Sequence, residues 1–103
     1  MTYLEELRDV IRKLHGAEPT HVESVPVTEK FGGQTVWEGV VEVFDLDGHP
    51  QAARAYAWAH DTDDPDKPRR HVTVLHIGPV TSAIAAVRAA IAQEFRSREP
   101  EEA

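Results

Sequence analysis

His60 and His71 stand at the two ends of the most polar stretch of the chain, with Asp61, Asp63 and Asp64 between them. Imidazole and carboxylate are the donor types that hold zinc and related divalent ions. A hairpin that pairs the flanking segments brings His60 and His71 together beside Asp61, and these three residues are the metal-ligand candidates. Their spacing matches no known ligand motif. There is no H-E-x-x-H, and the acidic run lacks the glycine and terminal glutamate of an EF-hand loop. Cysteine is absent, which removes disulfides, thiolate nucleophiles and sulfur-ligated metals together. No cofactor is expected.

Hydrolytic chemistry has less support. Ser24, Ser82 and Ser97 lie in no G-x-S-x-G turn, and a serine nucleophile needs a positioned base and an oxyanion hole. Glu38 and Glu42 on one strand stand ~13 Å apart at ~3.4 Å per residue. That exceeds the ~6.5 to ~9.5 Å of a carboxylate pair that activates water against a glycoside. The chain leans towards a non-enzymatic reading, with a small metal-binding protein or metal-dependent enzyme that uses His60, His71 and Asp61 as the alternative.

A net charge of −7, from 11 basic and 18 acidic residues, repels phosphate backbones and anionic membranes, so nucleic acid and membrane are unexpected partners. The most apolar later stretch, residues 83–92, is short and interrupted by Arg88, so no membrane span is expected. A cytoplasmic location follows as the expectation. With 103 residues and 41% apolar content, one domain over residues 1–97 is expected, followed by a frayed acidic tail at 98–103.

The elements that must position any site follow from periodicity. Leu4, Leu7, Val10, Ile11 and Leu14 repeat at helical spacing, with Thr2 and Glu5 as a capping pair and Gly16 as the stop. Strands are expected over 21–28, 35–44, 52–60 and 71–77, with Pro26 placing the first at a sheet edge. Pro79 opens a second helix with Val80, Ile84, Val87, Ile91 and Phe95 on its apolar stripe. The expected fold is α+β: a two-layer arrangement in which an antiparallel meander of three to four strands carries both helices on one face.

The turn at 45–48 sets which face that is. A type I turn with Gly48 left-handed in a bulge aligns Trp37, Val41, Val43, Val72 and Val74 with Ala53, Ala55, Ala57 and Ala59. The alternative register places Glu38 and Glu42 under a helix, where unpaired carboxylates cost several kcal/mol each, and is rejected on that ground. Arg54, Tyr56, Trp58, Thr73 and Leu75 then lie on an open face, together with His60 and His71. Uncovered tyrosine and tryptophan are typical of interface centres. The expectation is a small binding or assembly domain that uses this aromatic face, as a homodimer or with a protein partner.

The order helix, strand meander, helix resembles that of the double-stranded-RNA-binding domain, and Ala86-Val87-Arg88-Ala89-Ala90-Ile91 is similar to the small-residue pattern of that family's second helix. The resemblance implies phosphate contacts from lysines at the start of that helix. Here the turn reads Pro79-Val80-Thr81-Ser82-Ala83 and carries no base. The likeness is therefore one of topology.

Overall fold

The computed structural model describes the backbone of residues 1–98 and the side chains of residues 1–94. The side chain of Phe95, expected on the stripe of the second helix, and residues 99–103 of the expected tail lie outside this description. Arg98 is the last residue of the second helix.

The chain forms α1 (Tyr3–His15), β1 (Glu18–Phe31), β2 (Gln34–Asp47), β3 (Arg54–Asp61), β4 (Arg69–Leu75) and α2 (Ala83–Arg98). It is an α+β fold with one antiparallel sheet in the order β1-β2-β3-β4. The start of α1 is a capping box: Thr2 Oγ1 accepts from the Glu5 amide at 3.1 Å, and Glu5 Oε1 accepts from the Thr2 amide at 2.9 Å. Gly16 ends it at φ 64°, donating its amide to the Arg12 carbonyl. β1 is an edge strand, as Pro26 requires. Pro26 lies opposite Val40, and the Leu46 amide bonds the Ala53 carbonyl. Even-numbered residues of β2 therefore turn their backbone groups towards β3, and the amide missing at Pro26 would have pointed away from β2. α2 begins later than Pro79 because Ser82 caps it, its Oγ accepting from the Ala85 amide at 3.2 Å.

The expected one-face packing of the helices is not what forms. α1 buries Leu7 and Ile11 against Phe44, Leu46, Ala55 and Ala57, while α2 buries Ala83, Ala86 and Val87 against Val27, Val41, Val43, Tyr56 and Trp58. Neighbouring residues of β3 appear in different clusters, and alternate strand residues point to opposite faces. The sheet is therefore sandwiched between the two helices. The small alanines of β3 let α1 approach closely, and the large aromatics of the same strand form the floor under α2.

This follows from the register. Asp45 pairs with Arg54, Val43 with Tyr56 and Glu42 with Ala57, the parity rejected above. Gly48 has positive φ as expected, at 96°, but it opens a longer connection over residues 48–53. His49 holds that connection, its Nδ1 accepting from the amides of Gln51 and Ala52 at 3.0 Å each. The carboxylate on which the rejection rested is indeed buried, with Glu42 7% exposed, yet it is not unpaired. Its Oε1 accepts from Ser24 at 2.5 Å and meets His21 Nε2 at 2.8 Å. β1 supplies both partners, a contribution that the β2-to-β3 turn alone cannot reveal.

Removing the histidine tests this account. His21→Ala is expected to destabilise by about 2 kcal/mol or more, because it strips a partner from a buried carboxylate. The double substitution His21→Ala with Glu42→Val is expected to recover most of that loss. Urea denaturation of the two variants measures both effects.

Candidate functional site

The residues expected to share an open face are divided between two covered ones. Tyr56 and Trp58 are 3% and 4% exposed. The Tyr56 hydroxyl lies 2.7 Å from His76 Nδ1, with the two rings stacked. Trp58 meets Trp37 edge-on at 5.4 Å. Arg54 shares their side of the sheet and bonds Asp45 at 3.1 Å. Thr73 and Leu75 lie on the α1 side, where Thr73 Oγ1 meets His15 Nε2 at 2.8 Å and Leu75 packs on the α1 core. These five residues form no common surface, because Tyr56 and Trp58 are core.

The metal candidates are likewise separated. His60 pairs with Arg70 and His71 with Ala59, which puts the two imidazoles on opposite faces of the sheet. His71 Nε2 is 2.6 Å from Glu6 Oε2, and Asp61 accepts from Arg69 at 3.1 Å. Among the described residues, no group of three or more histidine, aspartate or glutamate side chains can hold a metal ion. His71, Glu6 and Arg69 instead tie α1 to β4. The hydrogen bonds from Arg69, and after them those from His71, pull the Glu6 carboxyl from 4.5 to about 2.

Among the described residues, a different surface is left uncovered. β1 and β2 have 14 residues each, but β3 and β4 have 8 and 7. β2 pairs with β3 only between Glu42 and Asp45, so the first hairpin runs on as an arm beyond the rest of the sheet. At its tip, beside the Gly32-Gly33 turn, Phe31 is 81% exposed and Val36 is also exposed. A trough of about 600 Å³ lies between the arm and α2, lined by Phe31, Val36, Trp37, Ile91 and Ala92. Its charged residues balance: Glu29 and Glu94 against Lys30 and Arg88. Arg88 bonds Glu29 at 2.5 Å across the interface between β1 and α2, which lowers the glutamate's pKa and raises the arginine's. Phe31 beside two glycines was the sequence signal for this surface, since an aromatic at a hairpin tip has nothing above it.

Comparison with family models, with curated proteins and with solved structures finds no match to this chain. Among the described residues, no helix is long and apolar enough to cross a membrane.

Two measurements check this arrangement. Trp58→Ala removes a buried ring that contacts Trp37 and lies in the α2 core, so it is expected to cost roughly 3 to 5 kcal/mol in urea denaturation. The pH dependence of stability should show two windows. Burial, and after it the neighbouring His49, holds the His15 imidazole below its ordinary value of 6.5. The unfolded chain therefore binds the proton first, and stability falls as pH drops from 6.5 towards the folded value. His15→Gln is expected to flatten that window in urea titrations between about pH 7.5 and about pH 5.5. The Glu6 contribution is present above 4.5 and is lost as pH falls through about 2.

Proposed function

We propose that this protein is a non-enzymatic assembly domain that self-associates through the tip of the β1–β2 arm. The observation that carries the reading is Phe31, an 81% exposed aromatic, standing on the rim of an apolar trough on the same molecule. A knob beside a hole is self-complementary under a two-fold axis: Phe31 of each copy enters the trough of the other. Charge supports the same mode. On a chain of net charge −7, the trough has two acidic and two basic residues around it, so two copies meet there without the repulsion that the rest of the surface imposes. Aromatic anchors of this kind carry a large share of interface energy.

Sedimentation velocity across a concentration series tests the reading. The wild type is expected to form a dimer, and Phe31→Ser to weaken the association by about thirtyfold or more, the equivalent of ~2 kcal/mol, with an unchanged circular dichroism spectrum. A wild type that stays monomeric at high concentration sinks the proposal.

A further inference from the structure

Among the described residues, the arm also leaves a strand edge without a neighbour. The Leu46 amide bonds the Ala53 carbonyl, so the even-numbered residues of β2 turn their backbone groups towards β3. Further along the strand, the amides and carbonyls of Val40 and Glu38 face the same way, beyond the last pair at Glu42. Opposite them, β3 is already occupied: the Ala59 amide donates to the Tyr3 hydroxyl at 2.8 Å, and that hydroxyl lies 3.5 Å from the Ala59 carbonyl. Tyr3 stands where β2 would have continued the ladder. Between the two strands lies a notch of about 520 Å³, with Tyr3, Glu38 and Val40 among its walls and Trp37 and Trp58 on the α2 side.

We infer that the free edge of β2 at Glu38 and Val40 takes an extended segment of a partner protein as an added strand, with a lysine or arginine opposite Glu38 and small apolar residues on either side. Main-chain pairing gives such a complex its affinity, and the side chains that alternate along it give specificity. A basic residue is selected because Glu38 is the charged side chain on this stretch of edge and the chain as a whole is acidic. Small apolar neighbours are selected because the Trp37 ring lies across Gly39, so close that a Cβ there would meet it at 3.0 Å. Residues of the added strand on that side therefore meet the Trp37 ring. A second copy is the wrong occupant. Antiparallel self-pairing of this edge sets Glu38 opposite or diagonal to a glutamate of the other copy, and like charges across a ladder are destabilising. The inference does not depend on self-association at Phe31.

The test uses the full chain and fluorescence anisotropy with two labelled, end-blocked hexapeptides, one alternating valine with lysine and the other valine with glutamate. The lysine peptide is expected to bind saturably and the glutamate peptide about tenfold more weakly or worse; Glu38→Lys is expected to invert that order. Val40→Pro removes the amide that faces the notch while leaving the β1–β2 ladder, which the odd-numbered residues of β2 carry. It is expected to abolish binding with the circular dichroism spectrum unchanged. N-methylation of alternate peptide amides probes the same hydrogen bonds without altering the protein, and one of the two methylation patterns should abolish binding. The inference is overturned by three results: neither peptide binding, equal binding of both, or binding that survives both methylation patterns. A wild-type dimer that Val40→Pro dissociates would assign the edge to a second copy, and would also overturn it.

Discussion

The carboxylate of Glu42 lies almost wholly buried on the α1 side of the sheet, hydrogen-bonded to His21 and Ser24 of β1. A buried charge without partners costs several kcal/mol, and one with two good hydrogen bonds does not. With Glu42 pointing towards α1, Val41 and Val43 must point towards α2. Through the pairing of Val43 with Tyr56 and of Tyr56 with Val74, the same choice passes to β3 and β4. The small edge-strand cluster thus governs which side chains each helix meets.

The two faces that result are chemically different. The α1 side combines alanines with polar ties, from His15 to Thr73 and from Glu6 to Arg69 and His71. The α2 side is built from valines and the large aromatics of β2 and β3. Close helix approach on one side and bulky filling on the other let a single strand, β3, serve both layers. Aromatic content that looks like an interface in the sequence is consumed by the second core.

The surface available for recognition comes instead from unequal strand lengths. β2 leaves β3 after Glu42, and the arm beyond carries an apolar tip and a backbone edge. Natural sheets protect such edges with charges and plugs; here Glu38 stands on the edge of β2, and the Tyr3 hydroxyl plugs the facing edge of β3 at Ala59. The tip and the edge differ in chemistry. One suits an apolar, charge-neutral contact, and the other suits a hydrogen-bonding strand of opposite charge.

The sequence by itself determined the elements and their order, because these rest on local signals. The Thr2 and Glu5 box and Gly16 bound α1, Pro26 marked β1 as an edge strand, and Gly48 has the positive φ read from its turn. The start of α2 was displaced from Pro79 to Ser82, a competition between two local start signals that Ser82 won through its hydrogen bond to Ala85. Tertiary structure alone decided the faces. Strand periodicity says that Glu42 and Val43 point in opposite directions, but not which of them meets which helix. That depended on His21 and Ser24, about twenty residues away in sequence and paired with Glu42 only once β1 lies beside β2. The register of β3 with β4 sent His60 and His71 to opposite sides of the sheet, and the packing of α2 buried Trp58, so the candidate site moved from the middle of the sheet to the arm.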